Sequence, residues 1–196
     1  MGLFSIDELK PCITPAPGER DAMLSINFLT LHMQKINSLR DLCGRLPASD
    51  ELMLLWTLKQ FNAFTFIPFI VENAGIILEL VISTYSISSK VVDALIALVD
   101  RGQVKHIHIS ISDSVKFRIP RVVDHLESLL QTRGEHISVL YGWNHSKCTL
   151  MHTDTGYYVV EGSGNFTENA QHEQYLFYNH PDAFAFRKQN VYGVFT

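Results

Sequence analysis

A chain of 196 residues with a formal net charge of −4, 46% hydrophobic and 18% charged residues is long enough for one well-packed domain with an appended segment. Aromatic residues at 11%, including 12 Phe, exclude a disordered chain, and the acidic balance excludes a globally basic polyanion binder. Cys12, Cys43 and Cys148 lie far apart without Cys-x-x-Cys spacing, which reads as a reducing compartment rather than a disulfide framework.

The N-terminus, "MGLFSIDELKPC", has no basic stretch followed by an apolar run, and Ile6 stands where a myristoylation signal needs Ser or Thr. The most apolar run, "AGIILELVIS", is short and carries Glu79, so no bilayer span and no stable membrane association are expected. A cytoplasmic location follows as the default. Residues 11–20, "PCITPAPGER", contain three prolines and a glycine and read as an irregular lead-in. Between Asp21 and Cys43, dense apolar positions (Leu24, Phe28, Leu31, Ile36, Leu39, Leu42) before Gly44 predict a long helix. "ASDELMLLWTLKQF" predicts a second, with Ser49 or Asp50 as N-cap. Residues 1–60 are therefore expected to be an N-terminal helical accessory segment, and residues 61–196 the chemical domain.

Beyond residue 64 the pattern changes. "ILELVIST" predicts a strand, and "SSKVVDALIALVDRG" a helix capped by Ser88 and ended by Gly102. "VKHIHISIS" alternates, with Ile107, Ile109 and Ile111 on one face and His106, His108 and Ser110 on the other. Strand, helix and strand at this spacing imply a parallel crossover. A further helix starts at Pro120 and stops at Gly134, and "HISVLYG" is the next strand. The fold class is α/β, with a mixed sheet flanked by helices on both faces and extra N-terminal helices.

Chemistry concentrates in residues 144–175, "NHSKCTLMHTDTGYYVVEGSGNFTENAQHEQY". Two strands joined by "TDTG" form a hairpin. His145 and Lys147, two apart, leave one face of the outgoing strand, and Gly162-Ser163-Gly164-Asn165 ends the returning one. Antiparallel pairing brings an imidazole, an ammonium, a hydroxyl and an amide to one point, a set suited to a phosphoryl group. Each piece alone is an ordinary surface pattern; the two within one hairpin are not.

"HSK…GSGN" followed by Glu173 resembles the phospholipase D superfamily, whose signature is His-x-Lys-x4-Asp-x6-Gly-Ser-x-Asn. "GSGNFT" is similar to the bacterial phosphodiesterase and nuclease branch, and the resemblance covers roughly residues 64–180. It departs from the signature at two points. His152 stands where Asp is expected, with Asp154 two residues on, and Gly162 comes three residues late; a longer hairpin accounts for both. The resemblance implies catalytic roles for His145, Lys147, Ser163, Asn165 and Glu173. His145 would form a phosphohistidine, a second histidine would act as acid and then base, and Lys147 and Asn165 would hold phosphate oxygens. Glu173 would orient the imidazole. Two coupled histidines can hold different protonation states near neutral pH.

No cofactor and no metal are implied. The chain holds one such motif, and the resemblance to single-motif members of the superfamily implies a homodimer with one shared site.

The substrate-binding candidates are Lys116 and Arg118, in the basic run "SVKFRIPR" with Arg121, and Tyr85 after the first strand. Nucleic acid is the expected partner. Two other readings stay open. One is an inactive nucleic-acid or phosphate-binding module on the same fold. The other is a metal site using His106, His108, His145 or His152.

Overall fold

The computed structural model describes residues 22–25, 34–35, 39–58, 61–167 and 172–193. The lead-in expected at 11–20 lies outside them. Nine strands form one mixed sheet among the described residues, in the order β2-β1-β3-β9-β8-β7-β4-β5-β6. The strands are β1 (Ala22–Ser25), β2 (Gln34–Lys35), β3 (Leu52–Leu58), β4 (Ile77–Thr84), β5 (Val104–Ser112), β6 (Ile137–Gly142), β7 (Cys148–Thr153), β8 (Gly156–Gly162) and β9 (His172–Asn179). The helices are α1 (Leu39–Cys43), α2 (Phe66–Ala74), α3 (Ser89–Asp100), α4 (Val115–Arg118), α5 (Pro120–Arg133) and α6 (Pro181–Gly193). β4, β5 and β6 are parallel, whereas β7 runs antiparallel to β4 and β8 to both β7 and β9.

The expected crossover is present. Ser88 caps α3, its side chain accepting from the Val91 amide. Gly102, at φ 69°, turns the chain into β5 in the left-handed conformation that glycine adopts without strain. Ile107, Ile109 and Ile111 of β5 are all buried, as its alternation requires. Pro120 opens α5, where its missing N–H has no helical partner to lose.

The two helices predicted before residue 62 are corrected. Residues 22–25 and 34–35 are strands, and of the stretch 21–43 only Leu39–Cys43 is helical among the described residues. "LMLLWTL" is β3, an internal strand between β1 and β9. Met53, Leu55 and Thr57 are buried while Leu52 and Trp56 are exposed. That burial has the period of a strand, but apolar residues occupy its outer face too, so the composition hides the alternation. Nor does Asp50 cap a helix: it sits at φ 60° in a turn. The buried Glu51 beside it is held by Arg45, at 2.5 and 2.7 Å, and by the Ala48 amide at 2.8 Å.

Helices cover both faces. α2, α3 and α5 share the main core with Leu80, Ile82, Met151, Val160, Tyr175 and Phe177. On the opposite face α6 packs Phe184 and Val191 against Val81, Leu150 and Val159 in a smaller cluster. Cys148 belongs to this cluster, and burial raises its thiol pKa, as expected of a small core residue.

Candidate active site

The hairpin predicted around "TDTG" is β7–β8, with Cys148 opposite Glu161 and Thr153 opposite Gly156. Its turn is short; the extra residues lengthen the paired strands rather than a loop. His145 and Lys147 fall just before β7, not within it, although the Lys147 carbonyl still accepts the Gly162 amide at 3.3 Å. Because β7 is antiparallel to β4, with Cys148 opposite Ser83, this lead-in lies at the C-terminal ends of β4 and β5. There the sheet passes from parallel to antiparallel pairing, the edge at which open α/β sheets hold ligands.

Asn144 fixes the lead-in. Its buried amide donates to Ser83 Oγ at 2.9 Å and to Ser110 O and Oγ at 3.2 Å each. Its carbonyl oxygen accepts the Ser146 amide at 2.9 Å and the Ser146 hydroxyl at 2.7 Å. This Asx turn anchors the loop to two strands and leaves the flanking His145 exposed. Lys147 Nζ donates to the His145 carbonyl at 3.0 Å and lies 3.4 Å from His145 Nδ1. Burial lowers the Lys147 pKa, opposed by the nearby Glu173 and Tyr85.

The other side of the site is the end of β8. A Cβ at Gly162 would collide with the Gln174 carbonyl, and one at Gly164 with the Tyr175 hydroxyl. Both glycines therefore answer a steric demand from β9. The Ser163 hydroxyl donates to the Glu173 carboxylate and accepts the Gln174 amide at 3.1 Å. Glu173 thus holds Ser163 within the chain, and the expected contact to an imidazole is not made to the same chain's His145. Asn165 Oδ1 is buried without a hydrogen-bond partner. Phe166, fully buried, ties this loop to the one after β4 through Ser88 N to Phe166 O at 3.0 Å and Phe166 N to Ser86 O at 3.2 Å.

A cleft of about 880 Å³ joins these parts, lined by His145, Lys147, Ser163, Asn165 and Tyr85 among others. The Tyr85 ring lies 4.7 Å from the His145 ring, and the Arg118 guanidinium sits 4.2 Å above Tyr85 and donates to its carbonyl at 3.2 Å. Lys116 stands farther out, 4.4 Å over the Tyr141 ring. Glu173 approaches through Ser163.

Sequence reading missed α6, which supplies Arg187, Asn190 and Val191 to the cleft wall. Arg187 is neutralised there by Glu161, at 2.7 Å, an acid that also accepts the Tyr178 hydroxyl. "HPD" at 180–182 carries the signal for this helix: Pro181 opens it and His180 Nδ1 accepts the Ala183 amide at 3.3 Å. His152, at the position of the signature Asp, stacks on Tyr157 at 4.4 Å. His106 and His108 contact His136 and Tyr192 respectively.

The described architecture is a phospholipase D-like α/β fold. Among solved structures the chain is similar to polyphosphate kinase from Porphyromonas gingivalis, with 17% identity, 72% of this chain and 26% of that chain covered, and a TM-score of 0.54. It also matches phosphatidylserine synthase of Haemophilus influenzae Rd KW20, with 16% identity, 72% and 38% coverage, and a TM-score of 0.49. The chain thus spans well under half the length of either protein. No family model and no curated protein matches it. No described helix is long and apolar enough to cross a membrane.

Proposed function

We propose that the chain is a metal-independent phosphodiesterase of the phospholipase D superfamily, a nuclease by preference, working through a phosphohistidine at a site shared by two subunits. The observation that carries this reading is the convergence of His145, Lys147 and Asn165 on one cleft at the sheet's C-terminal edge. The name of the polyphosphate kinase neighbour agrees with phosphoryl chemistry, but the support comes from the residues.

The steps balance as follows. A ring nitrogen of His145 attacks phosphorus, a P–N bond forms, and the P–O bond to the leaving group breaks. The second histidine, the partner's His145 as imidazolium, gives its proton to the leaving oxygen and becomes a neutral base. It then takes a proton from water, whose oxygen attacks phosphorus. The P–N bond breaks, a phosphomonoester leaves and both imidazoles are restored. Lys147 can only donate toward His145 Nδ1, so a neutral His145 in that contact carries its proton on Nε2 and has no lone pair there for attack. Attack through Nε2 requires the other tautomer, and a phosphate that draws Lys147 to its own oxygens releases the ring for it.

Hydrolysis of bis-p-nitrophenyl phosphate in excess EDTA tests the reading, with His145→Ala as control. Turnover lost in the variant supports it. No turnover, with phosphate binding retained, would replace it with the binding-module reading.

A further inference from the structure

Two of the most exposed aromatic side chains flank the histidine site. Trp143 is 94% exposed and Phe117 89% exposed. Trp143 lies between the end of β6 and the buried Asn144, so it is displayed from an anchored loop. Phe117 is on α4, which reaches across the same edge: Lys116 lies over Tyr141 at the end of β6, and Arg118 over Tyr85 beyond β4. The Asp113 amide donates to the Gly142 carbonyl at 2.9 Å, joining the loops from which α4 and Trp143 emerge.

The charges around these rings identify the occupant. Arg45, Arg133, Arg187 and Lys188 each have a carboxylate partner. Lys116, Arg118 and Arg121 form no ion pair among the described residues; Arg118 instead donates to Ser114 Oγ and Tyr85 O. Exposed planar rings interleaved with cations that no carboxylate pairs match a ligand that offers flat apolar faces and negative charge together. A duplex offers its phosphates but hides its base faces. A bilayer calls for a broad apolar patch, and here the rings are separated by charges.

We propose that Trp143 and Phe117 are stacking platforms for unpaired bases of a single-stranded nucleic acid, whose phosphates follow Lys116 and Arg118 toward His145. This rests on the phosphodiesterase reading of the site and names its substrate class.

The test is equilibrium binding of a labelled oligothymidylate, and of a duplex of equal length, to the full chain in the His145→Ala background with EDTA. Trp143→Ala should weaken single-strand binding on the order of tenfold and duplex binding by less than roughly twofold. Trp143→Phe should retain most of the affinity, and Trp143→Leu should behave like Ala. With Trp56→Phe, which leaves Trp143 as the chain's single tryptophan, oligothymidylate should quench the emission. Equal losses on both ligands, rescue by Leu, or no quenching would overturn the proposal. An enzyme that cleaves the small diester but shows no Trp143-dependent binding sinks this inference alone. Trp143-dependent binding without any turnover sinks the catalytic reading alone.

Discussion

The two faces of the sheet are finished differently. Under α2, α3 and α5 the contact is continuous and apolar, from Phe66 and Leu126 to Ile107 and Phe177, all but unexposed. Under α6 a few apolar residues are ringed by Lys188–Glu79 at 2.6 Å, Arg187–Glu161 at 2.7 Å, and the Glu79–His108 pair at 3.6 Å. The first face supplies the burial that holds the fold. The second face is thin and polar, and the cleft opens where α6 stops covering it. One sheet thus separates stability from chemistry by face, and substitutions on the two sides should fail in different ways.

The largest effect belongs to the cleft. His145→Ala should reduce diester hydrolysis by about a thousandfold or more while leaving the thermal midpoint nearly unchanged, since the ring is exposed. A shared site sharpens this: with subunits freely exchanged, an equal mixture of wild type and His145→Ala should retain roughly a quarter of the wild-type activity. Retention of half would assign one complete site to each chain.

On the opposite face, Phe66→Ala should cost about 3–5 kcal/mol by denaturant titration. Its ring meets Phe61, Tyr175 and Phe177 at centroid distances of 5.8, 5.1 and 5.3 Å. Because Tyr175 abuts Gly164, that cavity should also loosen the Gly-Ser-Gly-Asn loop.

Lys188→Ala, which breaks a partly exposed ion pair with Glu79, should cost no more than about 1 kcal/mol. A larger loss would show that α6 depends on charge as much as on Phe184.

The smallest effect is one of pH. His108 is held below the ordinary histidine range, chiefly by burial, with Lys188 and His106 adding and Glu79 opposing. Its folded pKa lies below its unfolded value, so the unfolded chain binds the proton more readily. The stability is therefore intact above about pH 6.5 and is lost as pH falls through the folded pKa. His108→Gln should flatten that acid limb in pH-dependent melts.

What the sequence disclosed follows the same division. Local signals were legible: Ser88 and Gly102 bounding α3, the isoleucine alternation of β5, and the opposed His-x-Lys and Gly-Ser-x-Asn of one hairpin. The strand β3 was not, because Leu52, Leu54 and Trp56 on its outer face cancel the two-residue period. Helix α6 was not, because its apolar residues fail to form one stripe; Phe186 is exposed while Phe184 is buried. The anchoring of Asn144 by Ser83 and Ser110 is also long-range, set by which strands adjoin rather than by any spacing along the chain. His152, where the resemblance expects Asp, stacks on Tyr157 at the far end of β7.

The central claim is that His145 carries the phosphoryl group. It is tested most directly by quenching a reacting mixture with alkali, in which phosphohistidine survives, and mapping the adduct by mass spectrometry. The account predicts a substrate-derived phosphoryl adduct on the peptide containing His145, present during turnover and absent from His145→Asn. Turnover at an undiminished rate in His145→Asn, or an adduct on another residue, would contradict it.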